Sequence, residues 1–430
     1  MKRFTIKIIP FLLAALLVLA GCGAAVTPSG SGGSEKASAA DDSAKKTDGS
    51  TKGSESPPPV NTGAAEDDTE EQEQDPAQEP SGSEDGDTEI RISLNGDSAE
   101  SDGSGISITG STVTITEGGT YVLSGTLDDG YVTVDADKEE IVTLVLDGVT
   151  INSEDFAAIY VVSADKVIIK AAEGTTSTLS NGGSFTPIDD SNVDAVIFAR
   201  DDVTFNGEGT LVINSPAGHG IVGKDDVKIK DGSYEIDAYQ TAIRVNDTIE
   251  ISGGTFSLTA GSDGLHAENN DDDTLGDILI TGGEFSIRAD DDAIHATTVL
   301  QIDGGTFEIY GAEGLEATVV TVNGGDIYVE ATDDGINAAN KSSAYYPLIE
   351  INGGTVTVVM GAGDTDGIDS NGDIVINGGT VDVTGSSTFD CVGSGVIYGG
   401  TVIANGQEVS TLPNQMMGGG GFGPGGMGPR

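Results

Sequence analysis

The sequence is 430 residues long and strongly acidic, with 71 Asp and Glu residues against 19 Lys and Arg residues and a formal net charge of -52. A charge of this size repels nucleic acid and anionic lipid, so the favoured partners are metal cations and uncharged surfaces. Two cysteines in so long a chain exclude a disulfide framework.

The chain begins with the features of a secretory signal, since Lys2 and Arg3 precede an apolar run too short to span a membrane. The run ends in Leu19-Ala20-Gly21-Cys22, which resembles the lipobox of bacterial lipoproteins. In those proteins the cysteine is diacylated and becomes the mature N-terminus. The resemblance implies a signal peptide over residues 1–21 and a lipid anchor at Cys22 on the extracellular face of the cell membrane. An ordinary signal with an incidental cysteine is the alternative.

Residues 22–88 are rich in Ser, Gly, Pro and acidic residues, and almost none of them is large and apolar. A segment of this composition cannot form a core, so we predict a disordered linker that is extended by charge repulsion. Residues 411–430, which are rich in Gly and Met, are predicted to be a disordered tail. The folded domain is therefore expected between residues 89 and 410.

Within residues 89–410 a short sequence motif recurs, as in Ile280-Thr281-Gly282-Gly283, at an underlying spacing of about 20 to 22 residues. Two longer intervals contain polar insertions, residues 268–276 and 339–347. Three short runs in each repeat alternate apolar and polar residues, which is typical of strands with one buried face. Since the Leu-x-x-Leu pattern of leucine-rich repeats is absent, the period predicts an all-β solenoid, a parallel β-helix with three strands per coil.

The register of the repeats also predicts the core, because a coil buries its apolar face only against its neighbours. The predicted inward columns are Ile229, Ile251, Ile280, Ile302, Val322, Ile351 and Ile376 in the first strand; Tyr234, Phe256, Phe285, Phe307, Ile327, Val356 and Val381 in the second; and Ile243, Leu265, Ile294, Leu315, Ile336 and Ile368 in the third. The small polar residue before each glycine pair is predicted to be structural and to bond the local backbone.

The third strand of each repeat follows an acidic residue, as in Asp263-Gly264-Leu265-His266-Ala267. Stacking the repeats forms an outward "acid column", which consists of Asp263, Asp292, Glu313, Asp334 and Asp366. It also forms a "neighbouring column", which consists of His266, His295, Glu316, Asn337 and Asp369. Carboxylates about 4.8 Å apart repel one another unless cations lie between them.

Oxygen ligands at this density are typical of Ca2+ sites, so we predict calcium as the cofactor. The predicted ligands are Asp263, Asp292, Glu313, Asp334, Asp366, Glu316, Asp369, Asp291 and Asp333. His266 and His295 would also suit a transition metal, although two histidines alone are weak evidence for one. An acidic edge that is merely solvated is the remaining alternative.

Several sequence motifs resemble those of a family of bacterial lipoproteins described as carbohydrate-binding domain-containing proteins. They are Gly119-Thr-Tyr-Val-Leu-Ser-Gly-Thr-Leu127, Val142-Thr-Leu-Val-Leu-Asp-Gly-Val149, Asp334-Gly-Ile-Asn-Ala338 and Ile376-Asn-Gly-Gly-Thr-Val381. The resemblance implies a right-handed parallel β-helix similar to that of pectate lyases, calcium ions on the coils, and binding of cellulose and acidic, pectin-like sugars. The repeats at Thr241, Glu313 and Ser387 depart from the acidic pattern, which weakens the expectation of metal there.

Four tyrosines are predicted to contact sugar: Tyr310, Tyr328, Tyr345 and Tyr346, since flat side chains suit neutral glucan and the chain has no Trp. We expect a monomer that binds extracellular polysaccharide without catalysis. One alternative is a calcium-dependent polysaccharide lyase with Arg244 as the base. The other is a surface stalk or adhesin that binds neither metal nor sugar.

Overall fold

Parallel strands make up the regular structure of the domain. The computed structural model describes residues 89–188, 191–362 and 365–413, and every regular element in these ranges is a strand. The all-β prediction is therefore confirmed for this part of the chain, and no helix in it could span a bilayer. The predicted signal peptide, the linker, Cys22 and residues 414–430 lie outside the described residues.

The strands form one sheet of 26 strands and one of 13 strands. The first six are β1 (Ile90–Gly96), β2 (Ala99–Glu100), β3 (Ile106–Thr109), β4 (Thr112–Ile115), β5 (Gly119–Leu127) and β6 (Tyr131–Asp135). Two antiparallel pairs, β1 with β2 and β3 with β4, lie at this end of the chain. The long strand β5 pairs with two later strands and so joins two ladders into the larger sheet.

From β7 to β36 the strands follow in sets of three, and the third strand of each set lies in the 13-stranded sheet. They are β7 (Ile141–Leu146), β8 (Thr150–Ser153), β9 (Ile159–Ser163), β10 (Lys166–Ala171), β11 (Thr176–Asn181), β12 (Ala195–Ala199), β13 (Val203–Asn206), β14 (Thr210–Ser215), β15 (His219–Gly223), β16 (Val227–Ile229), β17 (Ser233–Ala238), β18 (Ile243–Val245), β19 (Thr248–Ile251), β20 (Thr255–Ala260), β21 (Leu265–Ala267), β22 (Asp277–Ile280), β23 (Glu284–Ala289), β24 (Ile294–Ala296), β25 (Val299–Ile302), β26 (Thr306–Gly311), β27 (Leu315–Ala317), β28 (Val319–Val322), β29 (Asp326–Ala331), β30 (Asp334–Ala338), β31 (Leu348–Ile351), β32 (Thr355–Met360), β33 (Asp366–Ser370), β34 (Asp373–Ile376), β35 (Thr380–Thr384) and β36 (Ser387–Cys391).

Three strands complete the order: β37 (Gly395–Ile397), β38 (Thr401–Ala404) and β39 (Gln407–Val409). Each strand from β7 to β35 pairs in parallel with the strand three places later, for example β23 with β26 and β24 with β27. The last pair, β38 with β39, is antiparallel. A repeat is thus a three-strand unit whose equivalent residues lie side by side in adjacent units.

The core consists of the columns predicted from the register, since all of their members are buried. Along β23, for example, Phe285 and Ile287 are buried and Ser286 is exposed. The rings of Phe256, Phe285 and Phe307 stack face to face, with centroids 4.6 Å apart at each step. In-register pairing dictates this geometry, because neighbouring strands are about 4.8 Å apart.

Glycine is required in the turn just before each strand that carries a stacked aromatic ring. Gly283 has a φ of 118°, and a Cβ atom there would lie 3.0 Å from the Cε2 atom of Phe285. A side chain at this position would therefore strain the backbone and displace the ring.

The polar residues before the glycine pairs are structural, and Asp231 bonds the local backbone as predicted, since its Oδ1 atom accepts from the N–H of Gly232 at 2.8 Å, but the asparagines have other partners. The Asn352 side-chain amide donates to the Oδ1 atom of Asn323 at 2.8 Å, and Asn377 donates to Asn352 at 2.7 Å. These amides bond the equivalent residue of the adjacent unit rather than the local backbone, because in-register stacking brings donor and acceptor together.

Replacing Phe285 by Ala should lower the free energy of unfolding by about 3 to 5 kcal/mol, since the change leaves a cavity between two stacked rings. Urea unfolding followed by circular dichroism measures this change. The exposed neighbour supplies the control, because Ser286→Ala should alter stability by less than about 0.5 kcal/mol. Equal effects of the two substitutions would contradict the assigned core.

Candidate functional site

The neighbouring column lies in the 13-stranded sheet with the predicted register, and the acid column lies at or just before the start of the same strands. His266 pairs with His295, and His295 pairs with Glu316. The same column continues through Asn337 and Asp369. Arg244 precedes His266 in this column, as its outward position predicted, and the column extends beyond the prediction at one end, to Asp390 after Asp369.

Backbone hydrogen bonds link members of the acid column. The N–H of Asp292 donates to the Oδ1 atom of Asp263, and the N–H of Asp366 donates to the Oδ1 atom of Asp334, both at 3.3 Å. Each of these carboxylates thus lies beside the start of the next strand in the sheet. The structure therefore brings the predicted acids together along one edge of the sheet.

The sequence analysis left these acids on an open outer face, whereas the structure buries several of them. Asp263, Asp292 and Glu316 are 6%, 7% and 3% exposed. Two polar insertions meet nearby, since Asp273 of the first accepts hydrogen bonds from the Ser343 hydroxyl at 2.6 Å and from its N–H at 3.1 Å. Contacts between residues 70 positions apart could not be derived from the repeat pattern.

All three histidines of the sequence line one cavity of about 580 Å³. They are His219, His266 and His295, and two cationic side chains, Arg244 and Lys341, join them in its wall. Sequence reasoning passed over His219, although its position two residues before the inward Ile221 matches that of the acid column. Lys341 comes from the second insertion, and its Nζ atom lies 2.8 Å from the Oε2 atom of Glu316.

Two histidines each bond an acid three residues earlier. The Nδ1 atom of His266 lies 2.8 Å from the Oδ2 atom of Asp263, and the Nδ1 atom of His295 lies 2.7 Å from the Oδ2 atom of Asp292. The two imidazole rings stack with centroids 4.5 Å apart and an interplanar angle of 12°. Adjacent strands thus hold two equivalent Asp–His pairs against one another.

Burial and neighbouring charges set the protonation of these groups. Burial opposes the protonation of His295, but its bonds to Asp292 and Glu316 outweigh that effect and raise the pKa of the imidazole to about 9. Burial lowers the pKa of His219 to about 4, and the Arg244 guanidinium adds to this effect. Burial, together with the Glu316 and Asp292 carboxylates, raises the pKa of Glu313 to about 8. The cavity therefore contains a charged and a neutral imidazole at neutral pH.

At the other end of the columns the side chains that could hold a cation offer oxygen atoms alone. One carboxylate oxygen each from Asp366, Asp369 and Asp390 lies within 4.8 Å of the others. Burial raises the pKa of Asp369 to about 6, and the charges of Asp366 and Asp390 reinforce the increase. The Oδ1 atoms of Asn337 and Asp390 are buried without a hydrogen-bond partner. Such an arrangement fits a hard cation, which would satisfy both the charge and the unpaired oxygens.

The predicted ligands Asp291, Asp333 and Asp334 lie beside these clusters. Asp291 lines the histidine cavity, and Asp333 is exposed next to Asp334. Burial and the Asp369 carboxylate raise the pKa of Asp334 to about 7. Asp390 was missed because the repeat at Ser387 departs from the acidic phrase, although its pairing with Asp369 follows from the same register.

The four predicted tyrosines do not form one surface. Tyr310 and Tyr328 lie on β26 and β29 of the larger sheet, with ring centroids 6.3 Å apart, and the guanidinium of Arg288 lies 4.0 Å from the Tyr310 centroid. Tyr345 and Tyr346 belong to the second insertion and are 42% and 60% exposed. The latter pair shares a second cavity with Lys341 and Asp273 and is thus close to the histidine cavity.

The contribution of Glu313 to the stability of the metal-free protein should decline as the pH rises. The folded-state pKa of Glu313, about 8, exceeds its ordinary value of 4.5, so the folded state binds this proton more tightly and loses stability between those pH values. Glu313→Gln imitates the protonated acid and should be more stable than wild type at pH 8.5, by on the order of 1 to 3 kcal/mol after allowance for partial exposure, and nearly equal at pH 4.5.

Thermal unfolding in excess chelator at the two pH values measures this difference. The exposed Glu284 on β23 provides the matched control, because Glu284→Gln should change stability equally at both pH values. A Glu313→Gln variant that loses stability relative to wild type on going to high pH would contradict the assigned burial of the Glu313 charge.

Comparisons of the sequence and of the fold with known proteins identify relatives of this chain. The family model for "Carbohydrate-binding domain-containing protein" matches residues 109–367 and 313–407. A relative from Acetivibrio thermocellus with the same description is 38% identical over 165 residues, which are 38% of this chain; the chain spans 58% of that relative's length. A solved structure from C. thermocellum, described as a polysaccharide lyase-like protein in a gadolinium derivative, is 35% identical and has a TM-score of 0.50.

The alignment with that structure covers 57% of this chain and 95% of the other. The family model alone matches more than half of the 430 residues, including the strands that form both outer columns. This chain belongs to the family of carbohydrate-binding domain-containing proteins.

Proposed function

We propose that this chain is a calcium-binding lipoprotein of the cell surface that binds extracellular polysaccharide without cleaving it. Membership of the family supports carbohydrate binding. The observation that carries the calcium proposal is the oxygen-only cluster of Asp366, Asp369 and Asp390. The lipid anchor is proposed at Cys22, from which residues 22–88 would extend the domain away from the membrane, and we propose a monomer.

We further infer that the three-strand units are coils of a right-handed parallel β-helix. In support, each strand from β7 to β35 pairs in parallel with the strand three places later. Connections between parallel strands of one sheet are right-handed in nearly all proteins. A regular solenoid would present its outer columns as an extended surface, which suits a polymeric ligand.

Electrostatics supports a cation at the oxygen-only cluster. Two unit charges 4.8 Å apart repel by about 3 to 4 kcal/mol at the effective dielectric constant of a protein surface. A calcium ion takes 6 to 8 oxygen ligands with adaptable geometry. Asp366, Asp369, Asp390 and the Oδ1 atom of Asn337 would supply protein ligands, and the rest of the coordination shell would remain for water or sugar.

Calcium would also resolve a conflict of charge between protein and ligand. An acidic, pectin-like sugar is repelled by a chain with a net charge of -52. A calcium ion with open coordination positions can accept a uronate carboxylate as a further ligand. Neutral cellulose would instead use aromatic surfaces, for which Tyr345 and Tyr346 are the most exposed of the predicted residues.

A second candidate function is a polysaccharide lyase, which the description of the C. thermocellum structure and the cationic side chains of the cavity support. Arg244 is the proposed base, but its guanidinium lies 3.5 Å from the Glu268 carboxylate. An arginine paired with a carboxylate is more often a structural partner than a base, so binding without catalysis is the preferred proposal. A stalk without ligands is the third candidate.

Asp366→Asn together with Asp369→Asn should lower the affinity for Ca2+ by at least about 100-fold, because the change removes two of the proposed anionic ligands. Calorimetric titration of the chelator-treated protein with CaCl2 measures this affinity. The matched control is Asp326→Asn together with Asp382→Asn on the larger sheet, which should leave the affinity unchanged. If both double variants bind calcium as wild type does, the proposed site is wrong.

Polysaccharide binding is tested by titrating the protein with oligogalacturonate and cello-oligosaccharide, once with calcium and once with chelator. We expect oligogalacturonate to bind only with calcium. Absorbance at the wavelength of unsaturated uronates, followed in the same samples, detects a lyase. Absorbance that rises with time would replace the binding proposal by the lyase, and absence of heat with both sugars would favour the stalk.

A further inference from the structure

The histidine cavity contains a compact cluster of three side chains from adjacent strands. His295 on β24 pairs in register with Glu316 on β27, and Asp292 lies three residues before His295. The Nδ1 atom of His295 is 2.7 Å from the Oδ2 atom of Asp292 and 2.9 Å from the Oε2 atom of Glu316. All three residues are more than nine-tenths buried.

Two carboxylate oxygens converge on one ring nitrogen in this cluster. A single Nδ1–H carries one proton, yet it faces two carboxylate oxygens at hydrogen-bond distance. A metal ion in place of that proton would bond the nitrogen and both oxygens at once. Ligand atoms of a tetrahedral site with bonds of about 2.0 Å lie roughly 3.3 Å apart, so each contact would lengthen by only about half an ångström.

We propose that Asp292, His295 and Glu316 form a binding site for a divalent transition-metal ion of the zinc class. One imidazole nitrogen with two carboxylates suits such an ion, whereas calcium prefers oxygen ligands only. Three protein ligands leave a fourth coordination position, and the three side chains line the cavity of about 580 Å³. That position would accept water or a sugar oxygen from the cavity.

Lys341 provides a built-in competitor for the ion. Its Nζ atom contacts Glu316 at 2.8 Å, and its side chain is 36% exposed, so it can move away into solvent. The lysine would neutralise the carboxylates when no ion is bound and would leave when an ion binds. Removing the lysine charge should therefore strengthen metal binding, which is the opposite of what loss of a purely structural ion pair would do.

The site is separate from the proposed calcium cluster and does not depend on sugar binding. The cluster at Asp366, Asp369 and Asp390 contains no nitrogen ligand. Substitutions at one site should therefore leave the other unchanged, and either proposal can fail without the other.

The test is calorimetric titration of the full, chelator-treated protein with ZnCl2 and, in parallel, with CaCl2. We expect His295→Gln to weaken Zn2+ binding by at least the 10- to 100-fold that loss of even an outer-shell partner costs at metal sites. The Ca2+ titration should not change. His219→Gln, in the same cavity but not in the cluster, is the matched control, and Lys341→Met should bind Zn2+ more tightly than wild type.

A measurement on the wild-type protein avoids any dependence on the folding of the variants. Pulsed EPR of protein loaded with Cu2+ detects the remote nitrogen of a coordinated imidazole. The expected spectrum contains the coupling of one imidazole, and Lys341→Met should retain it. A spectrum without imidazole coupling, unchanged Zn2+ affinity in His295→Gln, or weaker Zn2+ binding in Lys341→Met would each overturn the proposal.

Discussion

Parallel strands paired in register bring each side chain against its counterpart in the next repeat, about 4.8 Å away. The constraint stabilises columns whose members attract one another. The rings of Phe256, Phe285 and Phe307 stack at 4.6 Å, and the side-chain amides of Asn352 and Asn377 continue a ladder of hydrogen bonds. The same constraint destabilises a column of like charges, so each outer acid needs a partner of opposite charge or a proton.

The protein meets this need differently along the two outer columns. Near the histidine cavity, side chains supply the partners: His266 bonds Asp263, the protonated His295 bonds Asp292, and Lys341 bonds Glu316. Farther along, Asp334 and Asp369 have raised pKa values of about 7 and about 6, because burial and neighbouring carboxylates disfavour the ionised forms. Among the described residues Asp334 and Asp369 have no ion-pair partner, but the pKa of Asp292 is raised even beside His295, because burial is the largest effect there.

The repeat pattern predicted the core and the register of the outer columns, because both depend only on periodicity. Phe285 and Ile294 are buried where the alternation placed them, and Asp334 pairs with Asp366 as the spacing required. The burial of Asp292 and Glu316 could not be predicted in this way. For Glu316, a covering contact comes from Lys341 in the second insertion, and this insertion bonds the first through Ser343 and Asp273, segments that do not belong to the repeat. The same register could have placed His219 in line with the acid column. Its repeat, however, lacks the acidic motif that identified the other members.

The neighbouring column changes composition steadily, from Arg244 through His266 and His295 to Glu316, Asn337, Asp369 and Asp390. Ligand type selects the ion, so a column that passes from nitrogen to oxygen ligands presents different sites at its two ends. At the nitrogen-containing end, resident cations neutralise the acids, and an ion must compete with them to bind. At the oxygen-only end the described residues form no ion pair with these acids, so protons, or a cation if one binds there, would neutralise them. Occupancy at that end should therefore respond to calcium and pH together, whereas occupancy at the other end depends on how readily Lys341 withdraws.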